Sequence, residues 1–218
     1  MSAAVFETIR VRAGRAPLLP RHEARLAAAC GALGLPRPEP SLADAVAGQA
    51  GMRDGVVRVE VSARGTTVTT RDLPSLLPLT VRVASTPHAP YPHKVTSRPA
   101  FEAALAEARA AGGEADDALL VTPGGLVAEG TAWNIFWWEA DGLATPPLSL
   151  GVLPGVARGR VMELVPTMER ERAPGDLVGR SLFATNAIRG VVAIARLNGI
   201  PVPHDSRTTQ MADRFWPE

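Results

Sequence analysis

A chain of 218 residues is long enough for one large domain or two small ones, and 46% hydrophobic with 21% charged residues is ordinary globular usage that excludes a disordered or fibrous chain. The 23 Lys+Arg are offset by 22 Asp+Glu to a formal net charge of +1, and the arginines are scattered, which argues against nucleic acid as a partner. One cysteine, Cys30, leaves no intramolecular disulfide and no Cys-rich metal site, and no apolar stretch forms a leader or approaches the ~18 residues of a membrane span, so a cytoplasmic, metal-free protein is expected.

Val5 to Leu19 reads as two short extended runs joined by a turn at Arg12-Ala13-Gly14-Arg15. The period then changes. In PRHEARLAAACGALGLP, Leu26, Cys30 and Leu33 recur at helical spacing, Pro20 is tolerated at the start, and Gly34 with Pro36 stops the helix. His22 and Arg25, three apart, share a face distinct from that apolar stripe. Residues 56–62, VVRVEVS, alternate with Val57, Val59 and Val61 on one face, and Ala63-Arg64-Gly65 turns into TTVTT to close a hairpin. LTVRVAS at 79–85 is a further strand. The run 86–92, TPHAPYP, has three prolines and reads as a linker, separating a small N-terminal domain at 1–85 from a larger C-terminal domain at 93–218.

After the linker, Phe101, Leu105 and Ala108 mark a helix that Ser97 would cap and Gly112-Gly113 would end. Ala118 to Val121, a Pro-Gly-Gly turn, Leu126 to Glu129 and NIFWW have the pattern of a three-stranded antiparallel meander. LPGVARGRVMELVPTM opens on Pro154-Gly155 and carries Val161, Leu164, Val165 and Met168 on one helical face. SLFATNAIRGVVAI reads as strand, turn, strand. This mix predicts an α+β architecture in two layers or two small domains.

Lysine occurs once. Of the 23 Lys+Arg, Lys94 is the single lysine and the remaining 22 are arginines, in the stretch PHKVTSR. A primary amine can lose its proton and attack a carbonyl, whereas a guanidinium stays charged and cannot, so this position carries a chemistry that arginine would not supply. An amine that captures an aldehyde cofactor such as pyridoxal phosphate needs donors for the phosphate, a carboxylate for the pyridine nitrogen and walls that exclude water. Arg25, the helix start at Pro154-Gly155-Val156-Ala157 and the Thr185-Asn186 turn are candidate phosphate donors, and Glu129, set among apolar and aromatic residues, is the candidate carboxylate.

In order, FETIRV, RHEARL, HKVTSR, VAEGTAWNIFW, ATPPLSLGVLPGVARGRVMEL and LFATNAIRGV resemble the class IV aminotransferase family, the fold-type IV pyridoxal-phosphate enzymes, from Phe6 to about Ile194. That family includes branched-chain amino acid aminotransferase, D-amino acid aminotransferase and 4-amino-4-deoxychorismate lyase. The resemblance implies a two-domain α+β fold of the D-amino acid aminotransferase type. Its small N-terminal domain is α/β, and its larger C-terminal domain has an antiparallel-rich, barrel-like sheet. It implies pyridoxal 5'-phosphate as cofactor, a small-molecule amine as substrate and a homodimer.

Position by position, Lys94 matches the lysine that carries the cofactor and shuttles the α-proton, and Glu129 the glutamate paired with the pyridine nitrogen. Arg25 matches the phosphate-binding arginine, Val156 and Ala157 residues whose backbone N–H groups cradle the phosphate, and Asn186 and Ala187 the second phosphate-side loop. Two departures stand out. Relatives carry further N-terminal residues with a Gly-Asp-Gly turn before the FET strand, so a small domain short of an edge strand is expected; where this chain has Ala187 many have a Thr or Ser whose hydroxyl reaches the phosphate, so weaker cofactor binding is expected. The wording around Lys94 and TNAIRGV resembles the lyase branch, whose substrate carries two carboxylates, which makes Arg98 and Arg189 candidate substrate contacts. The expected activity is release of pyruvate from 4-amino-4-deoxychorismate to give 4-aminobenzoate. The alternatives are an amino acid transaminase of branched-chain or D-amino acid type and a catalytically inert cofactor-binding relative.

Overall fold

Alternation decides the first sheet. In the computed structural model, which describes residues 4–49, 51, 53–75, 77–112 and 114–217, β1 (Ala4–Val11) and β2 (Gly55–Ser62) each turn every second side chain inward. They pair antiparallel with Val59 opposite Glu7, and β3 (Gly65–Arg71) completes the order β1-β2-β3. Val5, Ile9, Val57, Val59 and Val61 form a core with Leu26, Ala29 and Cys30 of α1 (Leu19–Leu33) and Leu42 and Ala45 of α2 (Leu42–Ala47). Each fully buried Val, Leu or Ile side chain among these contributes about 1.5–3 kcal/mol. α1 ends where Gly34 takes a left-handed φ of 63°, which a glycine adopts without a Cβ penalty. The second extended run expected ahead of α1 does not form: among the described residues its strand pairing is limited to the Arg12–Arg15 bridge, and the helix begins at Leu19.

By its contacts the chain divides into Met1–Ser75 with His93–Ser97 and Trp216–Glu218, and Leu76–Pro92 with Arg98–Phe215. The strand around Leu79 thus belongs with the C-terminal residues. In that second unit β4 (Leu79–Pro87) leads through α3 (Pro99–Ala110) to β5 (Asp117–Val121), β6 (Val127–Gly130), β7 (Asn134–Glu139) and β8 (Gly142–Thr145). There follow α4 (Val156–Leu164), β9 (Thr167–Glu169), β10 (Leu182–Asn186), β11 (Gly190–Leu197), β12 (Ile200–Pro201) and α5 (Ser206–Arg214). The sheet runs β6-β5-β4-β11-β10-β7-β8-β9 with β12 on β11, and it mixes parallel pairs (β4 with β5 and β11, β8 with β9) with antiparallel ones. It curls into a half-barrel about a core that includes Leu119, Val127, Ile135, Trp137, Ala184 and Val192. The fold is α+β, as expected.

Four local expectations are corrected. The meander fails because β7 pairs with β10 and β8, whereas β6 keeps β5 on one side and receives Arg172 O at Val127 N–H on the other. Ser97 does not cap α3: Arg98 is the N-cap, with Pro99 opening the helix. Of the residues expected to end that helix, Gly112 lies just past it and Gly113 lies outside the described residues. Val165 and Met168 leave the helical face, because Val165 precedes Pro166 and is extended (ψ 131°), so α4 stops at Leu164 and Met168 falls in β9. Finally, the Pro-rich stretch is packed instead of solvated: Thr86 and Pro87 end β4, and His88 and Tyr91 are buried.

Candidate functional site

Residues 94–96 return to the free edge of β1. Phe6 N–H donates to Lys94 O (2.9 Å), Thr96 N–H to Ala4 O (2.9 Å), and Val5 pairs with Val95 as an antiparallel bridge. The backbone around Lys94 is therefore held by two ladder bonds. Its Nζ lies 4.6 Å from the centre of the Phe6 ring, and the Arg58 guanidinium, itself paired with Glu60 at 2.9 Å, lies 3.7 Å from the same ring. Phe6 is a quadrupole on which both cations rest, and it lies on the sheet face opposite Glu7.

On that other face His22 and Arg25 of α1 converge on Glu7, a residue that sequence reasoning passed over. Arg25 donates from Nε to Glu7 Oε1 (2.7 Å) and from Nη2 to Oε2 (2.5 Å), and His22 Nδ1 lies 2.6 Å from Oε2. Burial alone would raise the Glu7 carboxyl, but the Arg25 charge and the hydrogen bonds from His22 and Arg25 outweigh it and hold the pKa at about 2. A signal existed in the sequence: Glu7 alternates with Val5, Ile9 and Val11 on a core face, where a carboxylate requires a donor.

In the second unit the segment 129–134, EGTAWN, which runs from the end of β6 to the start of β7, connects the remaining candidates. Glu129 is 3% exposed, and its Oε1 accepts from His88 Nε2 (3.0 Å) and from Leu153 N–H (3.1 Å). His88, edge-on to Phe101, supplies the partner that a buried acid needs. Thr131 gives its hydroxyl and its N–H (3.0 Å) to Asp117, while its carbonyl accepts from Arg98 Nη1 (2.7 Å). Burial raises the Asp117 carboxyl to about 6, because the Thr131, Ala118 and Ala132 donors that oppose it are neutral. Arg98, expected at the substrate, thus spends one edge on bracing this loop and sits near the Tyr91 and Phe101 rings. Ala132 O accepts from Asn186 Nδ2 (3.3 Å), Trp133 carries the Arg189 guanidinium 5.2 Å from its ring centre, and Asn134 Nδ2 donates to Leu153 O (3.0 Å).

Both expected phosphate-side features lie in this unit. α4 opens at Gly155 with no side-chain cap, so the N–H groups of Val156 and Ala157 head the helix at its positive end. Gly155 is required there, since a Cβ would overlap Asn134 Oδ1. At the second loop the side chains are engaged within the turn: Thr185 Oγ1 donates to Gly190 O (2.8 Å), and Asn186 Oδ1 accepts from the N–H groups of Ile188 (3.0 Å) and Arg189 (2.8 Å). Ala187 has no side-chain donor for a phosphate, and Asn186 Nδ2 gives one of its two hydrogens to Ala132 O. The donor set fits pyridoxal phosphate: a lone side-chain amine, a buried carboxylate with fixed donors, an uncapped helix start pressed against Asn134, and a guanidinium with one edge outside its ion pair.

The sequence profile of class IV amino-transferases matches residues 4–197. The chain therefore belongs to the class IV aminotransferase family, whose members are pyridoxal-phosphate-dependent enzymes. A Thermotoga maritima protein provisionally named a branched-chain-amino-acid aminotransferase is 34% identical over 88 residues, which is 38% of this chain and 32% of that relative. The match thus spans about a third of the relative's length. Among solved structures, one from Legionella pneumophila provisionally named a 4-amino-4-deoxychorismate lyase superposes with a TM-score of 0.85 at 19% identity, covering 98% of this chain and 91% of that one. A branched-chain aminotransferase from Thermoproteus uzoniensis, solved with norvaline, gives 0.85 at 23% identity over 98% and 84% of the two chains. At those identities the likeness is one of fold.

Proposed function

We propose that the chain is a pyridoxal-phosphate-dependent lyase that converts 4-amino-4-deoxychorismate to 4-aminobenzoate and pyruvate. The observation that carries the cofactor chemistry is the seat of Lys94: the single lysine has its backbone tied to β1 and its amine over Phe6. When bound, pyridoxal phosphate supplies an aldehyde that captures amines reversibly and a cationic ring that accepts the electron pair released beside the captured nitrogen. Lys94 Nζ would hold the resting cofactor and, as a free amine, would take the proton from the carbon beside the substrate nitrogen. Glu129 keeps the ring nitrogen protonated, with His88 and the Leu153 N–H fixing its carboxylate so that it need not reorient. Arg25, the Val156 and Ala157 N–H groups and the Asn186-Ala187 backbone bind the phosphate. As the ring C–O bond breaks and the side chain leaves as the enolate of pyruvate, Lys94 Nζ would give its proton to the methylene carbon of that enolate, which makes pyruvate and leaves the aromatic 4-aminobenzoate ring.

Support for the lyase comes from the FATNAIRG turn, where Arg189 stands over Trp133 as a cation for a substrate with two carboxylates. The transaminase reading draws on the 34% identity to the Thermotoga maritima relative. One assay separates them. With 4-amino-4-deoxychorismate the protein is expected to release 4-aminobenzoate and pyruvate, and Lys94→Arg to release neither. Keto acid formed only from branched-chain or D-amino acids with 2-oxoglutarate would replace the lyase by a transaminase, and full turnover by Lys94→Arg would sink both.

A further inference from the structure

The tightest polar constellation of the first unit touches no reacting atom in the proposed chemistry. Glu7 is 1% exposed and takes the Nε/Nη2 edge of Arg25 as a two-pronged fork, with His22, also 1% exposed, on the same carboxylate. With its pKa held at about 2, Glu7 is an acceptor only, which puts the shared proton on His22 Nδ1. His22 Nε2 is then buried with no hydrogen-bond partner among the described residues, a cost that an apolar residue filling the same space would avoid. The arrangement therefore serves more than packing. A fork to a carboxylate fixes the plane and the roll of a guanidinium, and it consumes one edge only, so both N–H groups of Arg25 Nη1 lie outside it.

We propose that Glu7 and His22 are positioning residues that lock Arg25 by its Nε/Nη2 edge so that Nη1 meets the cofactor phosphate in one orientation. The inference rests on Arg25 being a phosphate ligand. Because Glu7 offsets the charge of Arg25, its contribution is orientation rather than attraction, and pre-set orientation tightens binding by removing the cost of ordering a long side chain. Affinity for the phosphate group should then depend on a carboxylate that never touches it.

The test titrates full-length protein freed of cofactor with pyridoxal phosphate and, separately, with pyridoxal, which lacks the phosphate, following the absorbance of the bound chromophore. The ratio of the two Kd values isolates the phosphate contribution. Glu7→Gln is expected to reduce that ratio about tenfold and His22→Gln about threefold, with pyridoxal affinity held within about twofold. Arg25→Gln should reduce it at least as much as Glu7→Gln. If Arg25→Gln leaves the ratio intact, Arg25 is not a phosphate ligand and the underlying reading falls with the proposal. A ratio lowered by Arg25→Gln but kept by the other two variants overturns the positioning role alone, as does an equal loss of both affinities. Where Glu7→Gln fails to fold by circular dichroism, His22→Gln decides.

Discussion

Buried carboxylates reach stability by different routes, and Glu7 and Asp117 take opposite ones. Glu7 has a guanidinium and an imidazole and sits at about 2, whereas Asp117, fed by the Thr131 hydroxyl and neutral N–H groups, sits at about 6. The folded value of Asp117 lies above its ordinary 3.8, so the native state binds more protons in between, and stability from this group falls as pH rises from about 4 to about 6. A carboxyl displaced that far loses about 3 kcal/mol of stabilisation in full, of which about 2 kcal/mol falls between pH 4 and 6. Urea unfolding of wild type and Asp117→Asn over the same pH range should therefore show their gap moving by about 2 kcal/mol in favour of the variant as pH rises. A constant gap would mean that Asp117 titrates normally. At this scale the sequence was half legible. The helical spacing of His22 and Arg25, the buried setting of Glu129 and the core-face position of Glu7 are written in it, but the pairings of these groups with one another and with His88 are not, because they join residues 15 or more apart through packing.

Among the elements, α4 concentrates the dependence on one contact. Its first residue follows Gly155, whose missing Cβ leaves room for Asn134 Oδ1, while Asn134 Nδ2 holds Leu153 O two residues ahead of the glycine. Gly155→Ala forces the side chain or the helix start to shift, at about 1–3 kcal/mol. Asn134→Ala removes the hydrogen bond and leaves the Leu153 carbonyl short of a partner, again about 1–3 kcal/mol. Because the two act through the same space, the double variant should cost less than the sum of the singles by at least about 0.5 kcal/mol in denaturant unfolding. Strict additivity would show that the contact does not constrain the helix start. The elements themselves were largely readable from periodicity, and most of their misreadings trace to local backbone rules. Pro166 ends α4 early and Pro99 moves the cap of α3 from Ser97 to Arg98, whereas strand β7 took a partner from far along the chain where adjacency suggested β6.

For the whole molecule, motif order was legible and grouping was not. The order of FETIRV, HKVTSR and EGTAWN is covalent, but residues 93–97 belong with the N-terminal strands because the Lys94 and Val95 backbone completes the open edge of β1, a pairing that composition cannot announce. Amine chemistry supplies a measurement on the intact chain. With 22 of the 23 Lys+Arg being arginine, Lys94 is the only side chain that can be fixed to an aldehyde by borohydride, the α-amino group being the only other primary amine. Reduction of the protein with pyridoxal phosphate should add one cofactor mass per chain, carried by the peptide containing Lys94. Lys94→Arg should abolish that adduct while leaving thermal unfolding nearly unchanged, since an arginine keeps both the backbone ladder and a cation over Phe6. An adduct found only at the α-amino group would remove Lys94 from the chemistry, because no other side chain in the sequence could replace it.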